Sequence, residues 1–174
     1  MDEIEVKILN IDEKDVIRKL DNLGAKKVFD GIIESYFYDK DNKLKKNNDL
    51  LRLRRMGDKT LLTFKHKVSK DEVKIYDEHE TEISNFEDAK NIIESLDYKQ
   101  EKILRKTRIS YRIGKTKFEI DKYIDEYSDI PTFLEIEAES KEEIFRNVEI
   151  LGFQRKDCCS KSTDEIIKDY KKNN

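Results

Sequence analysis

Charged and apolar residues alternate strictly in residues 3–8, near the N-terminal end of the chain. Successive side chains of a β-strand point to opposite faces, so this alternation predicts a strand. Glu3, Glu5 and Lys7 then share one face, and the apolar residues share the other. Two carboxylates two strand residues apart lie about 6–7 Å from each other, close enough to hold one hard cation between them. One half-buried strand with a solvated face shows the same pattern, so the argument depends on whether the pattern recurs.

The alternation does recur in later parts of the chain. Residues 50–56 and 60–67 are predicted to form a β-hairpin with one cationic face. A second predicted hairpin, over residues 98–123, carries cations on its first arm and carboxylates on its second arm. The pattern Glu-x-Glu occurs again at residues 80–82 and 135–137. Strand after strand is therefore expected to collect ionised side chains on one face.

Amphipathic helices are predicted between these strands. Four helices are expected to begin at N-cap residues, which are Asp12, Ser84, Ser140 and Ser162. Amphipathic helices must cover apolar surface, and the apolar faces of the strands are their natural partners. The charged faces then either meet water in an open sheet or line the inside of a closed barrel, for which about eight strands suffice.

The predicted fold class is therefore α+β. We expect a single domain over residues 1–174, a closed eight-stranded antiparallel β-barrel that forms a tunnel, with amphipathic helices packed outside. The lysine-rich residues 68–76 are predicted to form a loop rather than part of a strand.

The interior of such a barrel would collect charges of both signs. Six basic side chains are expected there, from Lys7, Arg52, Arg54, Lys65, Lys106 and Arg108. Eight acidic side chains are also expected, from Glu3, Glu5, Glu80, Glu82, Glu119, Asp121, Glu135 and Glu137. This balance would repel a phosphate chain, but one or two Mg²⁺ or Mn²⁺ ions would reverse it, and carboxylate oxygens suit those ions. The residues thus indicate a metal-dependent polyanion site that fits a triphosphate.

Composition excludes other classes of protein. The 36 basic residues nearly balance the 39 acidic ones, whereas a general nucleic-acid binder shows a basic excess. No apolar run approaches the length of a membrane span, and the N-terminus lacks a signal-peptide core. The adjacent Cys158 and Cys159 suit neither a disulfide framework nor a zinc site. We expect a cytoplasmic protein whose partner is a triphosphate-containing small molecule, without nucleic acid or membrane, and a homodimer is left open.

Taken together and in this order, the motifs resemble the CYTH domain, a family also called the triphosphate tunnel metalloenzymes. Residues 3–7 match its N-terminal ExExK signature. Its basic and acidic strands resemble residues 51–54, 62–65, 106–108, 118–121 and 133–137. The family's fold is an eight-stranded antiparallel barrel. Its members hydrolyse inorganic triphosphate, thiamine triphosphate or nucleoside triphosphates, or cyclise ATP as class IV adenylate cyclases.

The resemblance implies roles for individual residues. It implies binding of Mg²⁺ or Mn²⁺ by Glu3, Glu5, Asp121, Glu135 and Glu137. It implies triphosphate binding by Lys7, Arg52, Arg54, Lys65, Lys106 and Arg108. The catalytic residues it implies are Glu5, Lys7 and Glu137, while Glu80 and Glu82 would position a second metal or order the basic side chains.

Three functions remain open on these motifs. The first is a metal-dependent phosphohydrolase that acts on a triphosphate. The second is a class IV adenylate cyclase, in which the ribose 3′-hydroxyl attacks the α-phosphorus and pyrophosphate leaves. The third is a non-catalytic polyphosphate-binding module, although anion binding alone would favour cations over this many carboxylates.

Overall fold

A computed structural model describes the backbone of residues 2–70 and 73–173 and the side chains of residues 4–68 and 73–170. The strands are β1 (Asp2–Leu9), β2 (Lys26–Asp39), β3 (Asp49–Met56), β4 (Lys59–Lys70), β5 (Lys74–Ile83), β6 (Lys99–Ile113), β7 (Thr116–Tyr123), β8 (Phe133–Ala138) and β9 (Cys158–Cys159). The helices are α1 (Glu13–Asn22), α2 (Lys43–Lys46), α3 (Phe86–Ser95), α4 (Lys141–Ile150) and α5 (Thr163–Asn173). None of the helices in these ranges is long and apolar enough to cross a lipid bilayer.

The first eight strands form a closed antiparallel barrel. Their order is β5-β4-β3-β2-β6-β7-β8-β1, and β1 pairs with β5 again to close the ring. The short β9 pairs with β1 beyond the point where the β5 pairing ends. The predicted α+β barrel is therefore confirmed, and closure pairs the two strands that would otherwise be the edges of an open sheet.

The predicted loop at residues 68–76 is wrong. Strand β4 continues through Lys70 and β5 begins at Lys74, so most of that segment belongs to the sheet. The reason is pairing over a long sequence distance: Glu5 in β1 lies opposite Lys74 in β5, and this ladder closes the barrel. A lysine-rich composition disfavours strands only weakly, and such tertiary context overrides it.

The main hydrophobic core lies outside the barrel wall. Val6 of β1 and Ile136 of β8 are fully buried, and they belong to one cluster with Leu20 of α1 and Val148 of α4. Because Cβ atoms alternate across a strand, packing these apolar residues against the helices turns the charged residues between them to the barrel interior.

Helix α5 lies in a different place from the other helices. Its Ile166 and Ile167 pack with Leu104, Tyr123 and Phe133, a second buried cluster. Phe133 is paired with the interior residue Asp121 in the ladder of β7 and β8, so this cluster fills one end of the barrel. The helices therefore pack outside the barrel as predicted, and α5 does so over one end of the tunnel.

The N-terminal caps of three helices are as predicted, and the fourth differs. Asp12, Ser140 and Ser162 each accept a hydrogen bond from the backbone N–H three residues later, in α1, α4 and α5 respectively. Helix α3 is capped by Asn85 and not by the predicted Ser84. A side-chain oxygen at this position satisfies an N–H group that the first helical turn leaves without a partner.

Asp39, at the end of β2, fixes the following loop. Its buried carboxylate accepts hydrogen bonds from the N–H groups of Lys40, Leu44 and Lys45, at 2.6–3.0 Å. We expect Asp39→Ala to lower the free energy of unfolding by about 2–4 kcal/mol, because these backbone donors lose a charged acceptor. Urea unfolding checks this, and the exposed Asp30 provides a matched control whose alanine variant should lose less than about 0.5 kcal/mol.

The loss of unfolding free energy in Asp39→Ala should also depend on pH. Burial by itself would raise the pKa of Asp39, but the hydrogen bonds from Leu44 and its neighbours hold that pKa below its ordinary value. A depressed pKa means that the stabilisation is present above the unfolded pKa of about 4 and is lost as the pH falls through the folded pKa. The difference between the wild type and Asp39→Ala should therefore shrink in acid. A difference that stays constant down to the acid limit would contradict this account.

Candidate functional site

The barrel encloses a cavity of about 360 Å³ to which all eight of its strands contribute side chains. Its basic lining residues are Lys7, Arg52, Arg54, Lys65, Lys74, Lys106, Arg108, Arg112 and Lys117. Its acidic lining residues are Glu5, Glu78, Glu80, Glu119, Glu135, Glu137 and Asp164. The cavity thus collects the ionised side chains that alternation predicted for one face.

The charge balance differs from the expected one. Among the described side chains that line the cavity, nine are basic and seven are acidic, and the fully buried Asp121 brings the acidic ones to eight. Three of the cations, Lys74, Arg112 and Lys117, are not among the six expected from the sequence. Conversely, the expected Glu82 is exposed and forms an ion pair with Lys59. The described lining therefore lacks the predicted negative excess, so less metal charge is needed to accept a polyanion.

Three carboxylates lie together on two neighbouring strands. Oxygen atoms of Glu5, Glu135 and Glu137 are all within 4.8 Å of one another, and all three side chains are buried. The ladder of β1 and β8 causes this, because it places Glu5 opposite Glu137 and Lys7 opposite Glu135. A compact set of carboxylate oxygens is the donor set that Mg²⁺ and Mn²⁺ favour, so these residues fit the expected ion.

Two further residues, Glu3 and Asp121, were predicted to be metal ligands. The side chain of Glu3 lies outside the described residues. Asp121 is not a member of the three-carboxylate cluster. It lies directly across the ladder from Arg108, whose Nε and Nη2 donate to its two oxygens at 2.7 and 2.6 Å, and Lys106 Nζ donates to it at 2.6 Å.

Lysine side chains hold each carboxylate of the cluster. Lys7 Nζ lies 2.8 Å from Glu5 Oε1 and 2.7 Å from Glu135 Oε2. Lys74 Nζ lies 2.9 Å from Glu5 Oε1, and Lys117 Nζ lies 2.6 Å from Glu137 Oε2. The cluster is thus neutralised by groups of the chain itself.

These contacts control protonation. Burial by itself would raise the pKa of Glu5, but the ammonium groups of Lys7 and Lys74 hold it well below its usual range. Burial would lower the pKa of Lys7, but Glu135 and Glu5 raise it well above its usual value. Burial lowers the pKa of Lys74 to about 8, and the nearby charge of Lys7 adds to this effect. Glu5 is therefore ionised at neutral pH, as a metal ligand must be.

Two arginines of β3 face the cavity with unused hydrogen-bonding capacity. The Nε groups of Arg52 and Arg54 are buried and have no hydrogen-bond partner in the described part of the chain. Their Nη2 atoms lie 3.9 and 3.6 Å from the carboxylate of Glu80, which is a loose contact. A buried donor without a partner is costly, and a phosphate oxygen is the kind of acceptor that would satisfy it.

The other cations of β4 and β6 that were predicted to bind substrate form closer ion pairs with carboxylates. Lys65 Nζ lies 2.6 Å from Glu78. Lys106 and Arg108 are held by Asp121, and Arg108 also contacts Glu119. These three cations face the cavity, but a phosphate group would have to share them with carboxylates.

Two of the groups around Arg108 titrate unusually. Burial raises the pKa of Glu119 to about 7, although the guanidinium of Arg108 opposes the shift. Burial also lowers the pKa of Lys106, and the charge of Arg108 lowers it further. Both shifts follow from placing many ionised groups in a small space away from water.

Some lining residues were not predicted from the sequence. Lys74, Tyr76 and Glu78 face the cavity from β5, and their two-residue spacing continues to Glu80, so the same alternation could have found them. Ser162 and the first residues of α5 also line the cavity. No periodic pattern in the sequence predicts that these residues of α5 line the cavity, because they reach it through the packing of α5 over the end of the barrel.

The end of the barrel opposite α5 carries an apolar rim. Val28, Phe29, Met56 and Leu61 line the cavity there. A β-bulge leaves Val28 out of the ladder with β6, and bulges of this kind redirect side chains. The ring of Phe29 lies over Gly31, where an added Cβ would come within 3.2 Å of its Cζ atom. The cavity therefore combines a charged interior with apolar surface at one mouth.

Comparisons with known proteins agree with this geometry. The family model described as the CYTH domain matches residues 1–156. A search of curated proteins gives no match. Among solved structures, a protein from Pyrococcus horikoshii is similar to this chain at 26% sequence identity, with a TM-score of 0.76 and coverage of 94% of this chain and 97% of that one.

Two further structures show the same fold at lower identity. A proposed adenylate cyclase from Vibrio parahaemolyticus is 18% identical, with a TM-score of 0.79 and coverage of 95% of this chain and 97% of that one. A proposed adenylyl cyclase from Hippeastrum, described as having a dominant triphosphatase activity, is 17% identical, with a TM-score of 0.68 and coverage of 97% and 96%. The family model spans most of the sequence, and so the chain belongs to the CYTH domain family.

Proposed function

We propose that this protein is a divalent-metal-dependent phosphohydrolase that acts on a triphosphate bound inside the barrel. One observation carries the proposal: a buried three-carboxylate cluster shares one cavity with two arginines whose buried Nε donors have no partner in the described residues. The carboxylates suit a hard cation, and the arginines suit phosphate oxygens. An anion with several linked phosphates can use both at once.

Glu5, Glu135 and Glu137 would hold the Mg²⁺ or Mn²⁺ ion. The ion, when bound, would supply Lewis acidity that polarises the phosphoryl oxygens. The chain itself would bind and orient the substrate. Arg52 and Arg54 would donate to phosphate oxygens through their unsatisfied Nε groups, and this contact fixes the triphosphate against β3.

Lys7 would change partners when substrate binds. Its ammonium group lies between Glu5 and Glu135, and its raised pKa keeps it protonated, so it can donate to the charge that develops on a phosphate oxygen. Glu137 would accept a proton from the attacking water, because it belongs to the cluster and its partner Lys117 is half exposed and can move into solvent. Lys65, Lys106 and Arg108 would complete the cationic wall.

The same cavity is compatible with cyclisation of ATP, because hydrolysis and cyclisation need the same hold on a triphosphate. The Hippeastrum protein is a case in which a proposed adenylyl cyclase of this fold is described as mainly a triphosphatase. The apolar rim at Val28 and Phe29 gives an organic group on the triphosphate a surface to contact, so organic triphosphates belong among the test substrates beside the inorganic one.

Product analysis separates the candidate functions. Purified protein is incubated with inorganic triphosphate, thiamine triphosphate or ATP, with Mg²⁺, with Mn²⁺ or with EDTA. We expect metal-dependent release of phosphate from at least one of the three. Formation of cyclic AMP and pyrophosphate from ATP would instead establish the cyclase, and binding without turnover of any substrate would establish the non-catalytic module.

A further inference from the structure

A tyrosine of β5 lines the cavity with a hydroxyl group that has no partner in the described part of the chain. Tyr76 follows Lys74 by two residues on the inner face of the strand. The Nζ atom of Lys65 lies 5.2 Å from the centroid of its ring. The hydroxyl of Tyr76 forms no hydrogen bond with any residue that the structure describes. It therefore has a donor available for a ligand in the cavity.

Tyr76 lies on the wall that connects the two halves of the proposed site. Strand β5 pairs with β1, which carries Glu5 of the three-carboxylate cluster, and with β4, which in turn pairs with β3. Strand β3 carries Arg52 and Arg54. A triphosphate that contacts the metal ion and these arginines at once is therefore expected to pass over the inner faces of β5 and β4.

Other donors on this wall already have partners. Lys74 and Lys65 form ion pairs with carboxylates at 2.9 and 2.6 Å. The hydroxyl of Thr63 donates to a carboxylate oxygen of Glu80 at 2.8 Å. A phosphate oxygen can take one of these donors only by competing with a carboxylate. The hydroxyl of Tyr76 can donate to a phosphate oxygen without breaking a bond within the described residues, so less of the energy of that contact is lost.

The surroundings of the phenol suit this role. Burial raises the pKa of Tyr76, and the charge of Glu5 adds to the effect, so the phenol stays protonated and can donate. The charges of Lys7 and Lys65 also act on the phenol, in the opposite direction. A phosphate oxygen that accepts from the hydroxyl would therefore also lie in the field of two ammonium groups. Hydrogen bonds to an ionised acceptor are stronger than those between neutral groups.

We propose that Tyr76 is a substrate-binding residue whose hydroxyl donates to a phosphate oxygen of the bound triphosphate, between the metal cluster and the arginines of β3. The inference rests on the proposed binding of a triphosphate in the cavity. It concerns the binding of the substrate and not the chemical step, so its test requires neither metal nor turnover.

Tyr76→Phe tests the contact, because it removes the hydroxyl and keeps the ring beside Lys65. We expect this variant to bind inorganic triphosphate about tenfold more weakly, since one hydrogen bond to a charged acceptor is lost. Calorimetric titration with tripolyphosphate in EDTA measures the dissociation constant, and circular dichroism establishes that the variant is folded.

Tyr38→Phe is the matched control. The hydroxyl of Tyr38 is also without a partner in the described residues, but the side chain is buried outside the barrel wall with Ala89 and Ile93 of α3. Tyr38→Phe makes the same chemical change away from the cavity and should leave the dissociation constant unchanged.

An unchanged dissociation constant in Tyr76→Phe, an equal loss in both variants, or a wild type that binds no tripolyphosphate would overturn the inference. If Tyr76→Phe does not fold, protein with fluorotyrosine in place of Tyr76 alone is titrated with tripolyphosphate, and a fluorine resonance that does not move would overturn it. The result is separable from the proposed activity. Binding without hydrolysis refutes the activity alone, whereas hydrolysis with equal affinity in the wild type and Tyr76→Phe refutes only the role of Tyr76.

Discussion

Glu137→Gln should lower kcat/KM for metal-dependent triphosphate hydrolysis by about 10²–10³-fold while the barrel stays folded. The substitution removes the charge of one member of the three-carboxylate cluster but keeps its size. The released partner, Lys117, is half exposed and can reach solvent, so no buried charge is left unpaired. The Mn²⁺ affinity should fall together with the rate.

Glu139 provides a matched control on the same segment. It follows two residues later, forms an ion pair with Lys115 at 2.7 Å, and is 52% exposed outside the cavity. Glu139→Gln makes the same chemical change to a lysine-paired glutamate and should leave both kcat/KM and Mn²⁺ affinity unchanged. Full activity in Glu137→Gln, or an equal loss in both variants, would show that the cluster does not hold the catalytic ion. Circular dichroism and urea unfolding establish that each variant is folded.

The alternation of charged and apolar residues predicted much of this site. Once the barrel closes and helices cover its apolar outer face, every second residue of each strand must point inward. Glu5, Lys7, Arg54 and Glu135 could therefore be placed in one cavity from local sequence alone. All four line the cavity, whereas their chemical roles remain proposals.

The pairing register of the strands and the packing of α5 over the end of the barrel could not be predicted in this way. Alternation shows that Asp121 faces inward but not that it lies opposite Arg108, and that pairing determines which cation it binds. The spacing of β5 could have placed Lys74 in the cavity, but its contact with Glu5 depends on pairing between segments that are distant in sequence. The apolar stripe of α5 shows that one face of the helix is buried. The residues against which it packs, Leu104 and Phe133, lie on different strands and come together only when the barrel forms.

Arg54→Ala should weaken binding of inorganic triphosphate by about 10–100-fold, the loss expected for one charge-assisted contact. Its Nε is buried without a partner in the described residues, and the ion pair it makes with Glu80 is 3.6 Å long. Little intramolecular bonding is lost on truncation, so the free energy of unfolding should change by less than about 1 kcal/mol. Calorimetric titration with tripolyphosphate, in EDTA to remove any metal contribution, measures the dissociation constant.

The adjacent Arg55 makes this test selective, because it lies on the opposite face of the same strand. Its guanidinium stacks on the ring of Phe86 at 3.7 Å and donates to Glu87 at 3.0 Å, on the outer surface. Arg55→Ala should therefore lower the free energy of unfolding by about 1 kcal/mol and leave the dissociation constant unchanged. The two variants should therefore lose different properties: Arg54→Ala should lose affinity for triphosphate, and Arg55→Ala should lose stability. An unchanged affinity in Arg54→Ala would mean that the unsatisfied guanidinium does not meet phosphate, and the proposed orientation of the triphosphate along β3 would fail with it.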